Sequence, residues 1–273
     1  MSGFRLTLMN ILVAIKQVPE TSNVKMDPET GTMIRSGVET VVNPLDLYAI
    51  EAALRLRDQL GGQVTALTMG PPQAVKALKE AMAMGCDGAV LVSDRKFGGA
   101  DTWATSYTLA QAIKKIGAYD LILTGERATD GDTAQVGPGI AAWLDLPLAT
   151  YVAHILEATP ETLTVERLVE EGYQELSLPL PALVTVVKEV AAPRLPTLRG
   201  KKRAKAADIP VFSTENLELD PANIGLKGSP TKVVKIETPK VSRGGTVMQA
   251  TDDQGVVQAV DQLMNYLIAH ELV

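Results

Sequence analysis

Residues 121–138 read LILTGERATDGDTAQVGP, a stretch that combines an apolar run, a polar loop and the start of a helix. Leu121–Thr124 is short, apolar and followed by glycine, which is typical of a buried strand. The residues after it are small or polar, and a helical pattern follows over roughly 134–144. We therefore predict a strand, a loop and a helix in this order.

The same pattern recurs toward the N-terminus of the chain. Three further buried strands are predicted at Ile11–Ile15, Val64–Met69 and Ala89–Val92. Helical patterns follow them at Pro44–Leu60, Pro71–Met84 and Asp101–Ile116. Asn43 and Pro44 predict an N-cap with proline at the first helical position. This alternation predicts an α/β fold with a mostly parallel sheet and helices on both faces.

The pattern changes after residue 150. Thr162–Val169 and Gln174–Leu178 predict a β-hairpin, and Pro193–Asp220 is rich in Pro, Lys and Arg with little periodicity. Asp252–Leu272 regains helical spacing. We predict an α/β domain with a hairpin over residues 1–190, an extended arm over 191–250 and a C-terminal helix over 251–273. The arm and the helix have no core of their own, so we expect them to pack on another subunit.

Composition excludes several classes of site. One cysteine, Cys86, excludes an internal disulfide and a multi-cysteine metal cluster, and two histidines leave little for a metal centre or a catalytic triad. A net charge of −6 argues against general nucleic-acid binding. We expect a cytoplasmic chain without membrane insertion, because no run of ~18 apolar residues occurs. Any redox chemistry then needs a bound cofactor.

Three loops follow predicted strands and are rich in Gly, Pro and small polar residues. They are residues 69–72, 97–102 and, most informative, 124–138. Backbone N–H groups at such turns, with the helix dipole, suit a phosphate or pyrophosphate. These loops match neither the Gly-x-Gly-x-x-Gly fingerprint nor the Walker pattern of nucleotide-binding proteins. The alternative is an ordinary tight loop in which Asp132 caps the following helix.

The sequence resembles the β subunit of electron-transfer flavoproteins. The resemblance runs from Met9 to the last helix and includes ILVAIKQVP at 11–19 and NPLD at 43–46. The family signature is matched by residues in and after the predicted hairpin: Val165, Arg167, Glu170, Glu171, Gly172, Gln174, Leu176, Pro181, Leu183, Val184 and Thr185.

The resemblance implies an adenine-nucleotide α-hydrolase-like fold and a heterodimer with an α subunit that carries FAD. It also implies a second nucleotide, FAD or AMP, at the strand ends of this chain. Thr133, Gln135 and the backbone of Gly131 and Asp132 are the expected pyrophosphate contacts. The full set of expected cofactor residues is Ala14, Asn43, Pro44, Leu45, Asp46, Met69, Asp101, Thr102, Gly125, Glu126, Arg127, Ala128, Thr129, Asp130, Gly131, Asp132, Thr133, Ala134, Gln135 and Val136.

The loop sequence resembles the electron-bifurcating members more than those that bind AMP. In that group FAD in the β subunit accepts hydride from NADH. One electron then passes to the α-subunit FAD and a partner dehydrogenase, which is acyl-CoA-, lactate- or quinone-linked, and the other to ferredoxin or flavodoxin. The alternatives are a non-bifurcating electron shuttle that binds AMP, and a stand-alone ATP- or AMP-binding protein of similar fold.

The predicted arm contains PRLPTLRGK at 193–201, which resembles the loop by which family members bind a partner dehydrogenase. The resemblance implies that Leu195, Leu198 and Arg199 contact the partner, with Leu198 as the anchor. The alternative is an arm that packs on the α subunit.

Overall fold

The computed structural model describes residues 8–20, 39–234 and 245–273. They belong to two compact units, one within residues 1–234 and one within 235–273. The strands are β1 (Met9–Ala14), β2 (Gln17–Pro19), β3 (Thr40–Val42), β4 (Gly62–Met69), β5 (Gly88–Val92), β6 (Leu121–Gly125), β7 (Leu148–Ala158), β8 (Thr162–Val169), β9 (Gly172–Pro179), β10 (Ala182–Val186) and β11 (Val211–Phe212). The α-helices are α1 (Asp46–Leu60), α2 (Val75–Met84), α3 (Thr102–Ile116), α4 (Val136–Leu144), α5 (Leu198–Ala206) and α6 (Asp253–Ala269).

Nine strands form one sheet in the order β11-β5-β4-β1-β6-β10-β7-β8-β9. Neighbouring strands are parallel from β11 through β7 and antiparallel from β7 through β9. β2 and β3 form a separate antiparallel ribbon. The predicted α/β class with a mostly parallel sheet is confirmed, and so is the predicted hairpin, which is β8–β9.

Helices cover both faces of the sheet because successive side chains of each central strand point to opposite sides. In β1, Ile11 and Val13 belong to one buried cluster, which includes residues of α1 and α2. Leu12 belongs to the other cluster, with Ile113 of α3 and Ile140 of α4. The two clusters form the core of the domain. Because the central strands are parallel, the loops that follow them lie at one edge of the sheet.

The strand order contains one crossover that the sequence pattern did not predict. β10 lies between β6 and β7, so the chain returns to the middle of the sheet after the hairpin. Leu183 pairs with Ile122 on one side and with Leu148 on the other. The return makes β10 an interior strand, and all five of its residues are buried.

The predicted start of α1 was wrong by two residues. The helix begins at Asp46, and its N-terminus has no side-chain cap, so Asn43 is not the N-cap. The chain makes a turn before the helix in which the Asp46 N–H donates to the Asn43 carbonyl at 2.9 Å. The side chain of Asn43 is instead directed toward the loop after β6.

The region 193–220, expected to lack regular elements, contains α5 and β11. α5 packs on α2 and buries only Gly200 and Ala204, so it has no apolar periodicity that a sequence pattern could show. β11 extends the sheet edge beside β5. This part of the arm therefore packs on the α/β domain of its own chain, and the expectation that it packs on another subunit stays a prediction. Residues 235–244 of the predicted arm lie outside the described residues, and the predicted boundaries at 190 and 250 stay predictions.

The second unit contains the predicted C-terminal helix as α6. Asp252 caps it by accepting from the Gly255 N–H at 2.7 Å. Val256, Val260 and Leu263 lie on one side of the helix and are each about half exposed, at 50%, 52% and 57%. No helix within residues 8–20, 39–234 and 245–273 is long and apolar enough to cross a membrane.

Candidate functional site

The candidate site lies at the carboxyl edge of the parallel strands. Ala14, the last residue of β1, pairs with Leu67 in β4 and with Thr124 in β6. Met69 and Gly125 therefore lie just beyond Ala14 on the two neighbouring strands. Ligands of open α/β sheets bind at this edge, where loops lead into helix N-termini.

Asn43 holds the loop that follows β6. Its side chain is fully buried. The amide Nδ2 donates to the Arg127 carbonyl at 2.8 Å, and Oδ1 accepts from the Thr129 N–H at 3.2 Å. Asn43 thus binds two backbone groups of a loop more than 80 residues away, and fixes the loop against the turn before α1.

Asp46 lies against Gly125, the last residue of β6 before this loop. Its carboxylate is buried and accepts from the Lys16 N–H at 2.7 Å. Burial raises the pKa of Asp46 from 3.8 to about 7, although the hydrogen bond from Lys16 works in the opposite direction. A methyl group at Gly125 would collide with Asp46 Oδ1 and with the Leu45 carbonyl. The close approach therefore requires glycine at position 125.

The loop of residues 126–135 leads into α4 with its small polar side chains exposed. Thr133 and Gln135 are both exposed, and Asp132 and Ala134 adopt positive φ values of 54°. No side chain among the described residues caps α4. The alternative role of Asp132 as a helix cap is therefore wrong, because its carboxylate pairs with Arg127 at 2.6 Å. The first N–H groups of α4 face the loop and can receive an anion.

Gly137 allows α4 to start close to the strand ends. A methyl group there would collide with Thr185 Cγ2 and Thr124 Oγ1. The positive end of the helix dipole consequently lies directly above β6 and β10.

Two cations border the loop, and both contact its own carboxylates. Lys16 Nζ lies 2.7 Å from Asp130 Oδ1, and Arg127 contacts Asp132 at 2.6 Å and Glu126 at 3.3 Å. Sequence reasoning missed Lys16. The available signal was its position two residues after Ala14, on the same side of the extended chain. An anion at the start of α4 would compete with Asp130 for the Lys16 ammonium group.

Asp101 and Thr102 lie at the start of α3, which follows β5. Asp101 caps α3 through the Ala104 N–H at 3.1 Å. Its other oxygen accepts from the N–H and the hydroxyl of Thr231, at 2.9 and 2.8 Å. The hydrogen bonds of Asp101 thus involve α3 and the segment around Thr231, whereas Asn43 bonds the backbone of the loop directly. A cofactor role for Asp101 and Thr102 stays a prediction.

The predicted partner residues lie on the opposite edge of the sheet. Leu195 and Leu198 are 85% and 88% exposed. They flank Thr197, whose N–H donates to the Ala83 carbonyl at 3.3 Å near the end of α2. α2 ends where β5 begins, which is the amino edge. The predicted partner leucines and the candidate cofactor loop therefore occupy separate surfaces.

The geometry is typical of α/β proteins that hold a nucleotide at the carboxyl edge of a parallel sheet: a glycine-containing loop, an open helix start and a nearby lysine. The described residues include no group of three or more His, Cys, Asp or Glu side chains that could hold a metal ion.

Comparison with known proteins identifies the family. The electron transfer flavoprotein domain matches residues 30–217. The chain belongs to the electron transfer flavoprotein family, and within it to the β subunits. It is 48% identical over 272 residues to the electron transfer flavoprotein subunit beta of Megasphaera elsdenii, covering 97% of this chain and 100% of that protein.

Two other relatives belong to reductase complexes. Subunit CarD of the caffeyl-CoA reductase-Etf complex of Acetobacterium woodii is 48% identical over 244 residues, covering 89% of this chain and 93% of that protein. The acryloyl-CoA reductase electron transfer subunit gamma of Anaerotignum propionicum is 44% identical over 264 residues, covering 94% and 98%. The resemblance found in the sequence is confirmed. Family membership implies an α-subunit partner and a flavin- or AMP-type cofactor, and it excludes the stand-alone nucleotide-binding alternative.

We expect Asn43→Ala to loosen the loop of residues 126–135. Loss of both hydrogen bonds should lower the free energy of unfolding by roughly 1 to 3 kcal/mol and speed amide exchange in this loop. Urea unfolding and hydrogen exchange of the α/β heterodimer measure both effects. Asn223→Ala is the control, because Asn223 is partly exposed and, among the described residues, its amide bonds only the nearby Asp220. Equal exchange in both variants would contradict the role of Asn43.

We expect Asp46→Asn to change how stability depends on pH. Because the native pKa is about 7 and the ordinary value is 3.8, the native state binds the proton more tightly than the unfolded chain. Wild-type stability is therefore lost as pH rises through this window, and the variant lacks that loss. The variant should gain stability relative to wild type between pH 5 and pH 8, by about 3 kcal/mol, because roughly two pKa units of the shift lie between pH 5 and the native pKa.

Thermal unfolding at the two pH values measures this gain. Asp208→Asn, which changes an exposed carboxylate, is the control. A difference between Asp46→Asn and wild type that stays constant with pH would show that Asp46 is ionised throughout.

Proposed function

We propose that this chain is the β subunit of an electron-bifurcating flavoprotein and holds FAD at the loop after β6. In this proposal the bound FAD accepts hydride from NADH. One electron then goes to the α-subunit FAD and a partner dehydrogenase, and the other to ferredoxin or flavodoxin. The observation that carries the proposal is the open start of α4 beneath a loop held by the buried Asn43 amide.

The donors at the site suit a pyrophosphate. Backbone N–H groups at the start of α4 and the exposed side chains of Thr133 and Gln135 supply hydrogen bonds, and Lys16 supplies positive charge. A flavin supplies hydride and one-electron chemistry that no side chain provides. The tasks of this chain are to bind the phosphates, orient the cofactor and keep the loop closed over it.

Gly125 lets the loop after β6 lie close to the turn before α1, and Asp46 lowers the repulsion of a nearby phosphate. Gly125 carries no side chain that would separate the loop from the turn before α1. The raised pKa of Asp46 keeps part of its population neutral near pH 7. A neutral carboxyl repels a nearby phosphate less than an ionised one does.

Relatives support the bifurcating assignment over a simple electron shuttle. CarD and the acryloyl-CoA reductase subunit are named as parts of acyl-CoA reductase systems, and both match this chain over most of their length. AMP is the second candidate ligand, because a single phosphate would use the same helix start and Lys16. Nucleotide analysis separates the two.

Partner contacts are proposed for two surfaces. Leu195 and Leu198 are exposed beside Arg199, and this set is assigned to the dehydrogenase. An apolar anchor within a charged rim is typical of an interaction hot spot. The exposed apolar side of α6, which contains Val256, Val260 and Leu263, is assigned to the α subunit.

We expect the purified heterodimer to contain two FAD, and NADH to bleach the flavin absorbance. Gly125→Ala should reduce the content to one FAD per heterodimer, because the added methyl group displaces the loop. Gly245→Ala is the control, since a methyl group there meets no atom of the described residues within 4 Å. Extraction and chromatography measure the nucleotides. One FAD with one AMP in the wild type would contradict the bifurcating assignment and favour the shuttle.

We expect Leu198→Ala to weaken docking of the partner dehydrogenase at least tenfold and to leave flavin content unchanged, because the two sites lie at opposite edges of the sheet. The measurement is the heterodimer concentration that half-saturates electron transfer with acyl-CoA-, lactate- or quinone-linked dehydrogenases from the same organism. Leu226→Ala is the control, since Leu226 is also exposed. Loss of flavin in Leu198→Ala would make this residue structural.

A further inference from the structure

We infer that Glu51 of α1 is a positioning residue for partner docking, because it holds Arg194 and thereby fixes residues 193–201. This docking segment carries Leu195 and Leu198. The inference rests on the proposed docking role of these leucines. Glu51 is far from the candidate cofactor loop in sequence and contacts none of its residues among the hydrogen bonds of the described chain.

Glu51 and Arg194 form a three-point contact. Arg194 Nε donates to Glu51 Oε2 at 2.8 Å, and Nη2 donates to Oε1 at 3.2 Å. The backbone N–H of Arg194 donates to Oε2 at 3.1 Å. The guanidinium also reaches Asp58 at 3.0 Å. The contact therefore fixes the main chain at residue 194 as well as the side chain.

Glu51 is buried in a place where a lone carboxylate would be costly. Its side chain is 4% exposed, and its neighbours in the helix, Ile50 and Ala52, belong to the core. Burial acts to raise the pKa of Glu51, but hydrogen bonds from Arg194 and Arg55 outweigh it and leave the pKa below its usual value. The Glu51 carboxylate thus keeps its charge, and most of its hydrogen bonds come from Arg194 of the docking segment.

The same segment is fixed to α2 on the other side of the leucines. Thr197 caps α5 by accepting from the Gly200 N–H at 2.9 Å. Gly200 lies against the Ala83 carbonyl so closely that a side chain would not fit. Arg203 donates to the Met82 and Cys86 carbonyls at 3.0 and 2.8 Å.

The anchors alternate with the exposed leucines. Arg194, Thr197 and Gly200 face the domain, whereas Leu195 and Leu198 are 85% and 88% exposed. The contact with Glu51 holds the chain at residue 194, immediately before Leu195. The contacts with α2 involve Thr197, Gly200 and Arg203, which all follow Leu195. Without it, the N-terminal half of the docking segment would have to be ordered when the partner binds.

Order before binding increases affinity because less conformational entropy is lost on association. Release of the few residues around Leu195 should weaken docking by about tenfold. Arg199, Lys201 and Lys202 lie in the first half of α5 and are exposed, so the partner surface that fits is an apolar socket with an acidic rim.

The experiment is a double-mutant cycle on the α/β heterodimer with Glu51→Gln, Leu198→Ala and both together. The probe is an acyl-CoA dehydrogenase from the same organism, assayed as the heterodimer concentration is varied. Glu51→Gln alone should raise the KM for the heterodimer about tenfold with kcat, flavin content and NADH reaction unchanged. In the Leu198→Ala background the same change should have little further effect, because the positioned group is gone.

Two further variants separate positioning from general destabilisation. Glu166→Gln breaks the ion pair between β8 and His154 of β7, which is not connected to the docking segment, and should leave the KM unchanged. Glu51→Met with Arg194→Met removes the pair without leaving a buried charge, and should reproduce the KM effect if Glu51→Gln folds poorly. Amide exchange of residues 192–198 should accelerate in both Glu51 variants.

Each outcome is decisive. An unchanged KM in Glu51→Gln and in the double methionine variant overturns the positioning role and leaves docking by Leu198 intact. Additive effects of Glu51→Gln and Leu198→Ala also overturn it, since the two residues would then act independently. No effect of Leu198→Ala on docking overturns the proposed docking surface itself, and the positioning role with it.

Discussion

The buried side-chain amide of Asn43 is the contact on which the candidate cofactor site depends. It links the turn before α1 to the loop after β6 by bonding the backbone at Arg127 and Thr129. Because the amide is buried, these hydrogen bonds do not compete with water and define a single loop position. Leu45 and Asp46, which follow Asn43 in the chain, pack directly against Gly125.

The parallel sheet separates the two proposed activities of the molecule. Helices α1 and α2 run from the carboxyl edge back to the amino edge. The start of α1 lies near Gly125, and the last residues of both helices lie near the docking segment. Asp46 lies near Gly125 at one end of α1, and Asp58 contacts Arg194 near the other end. One helix therefore supports both surfaces, although no side chain belongs to both.

Local sequence patterns predicted the interior strands and most helices because each of those elements is buried on a repeating set of positions. They did not predict α5, since its buried residues are Gly200 and Ala204, which give no apolar signal. Nor did they predict the place of β10 between β6 and β7, because strand order depends on long-range pairing. The start of α1 was misplaced because the preference of Asn for N-caps is a local tendency, and the loop contact of Asn43 overrides it.

Composition and motif predicted the fold class and the family, both of which are confirmed, and they singled out the loop that carries the proposed cofactor site, because these depend on residue type and spacing along the chain. The tertiary structure alone decided that Lys16 borders that loop, that Asp46 is buried with a raised pKa, and that Glu51 holds Arg194. These three properties arise between residues distant in the sequence. Burial and charge pairing exist only after the chain has brought such residues together.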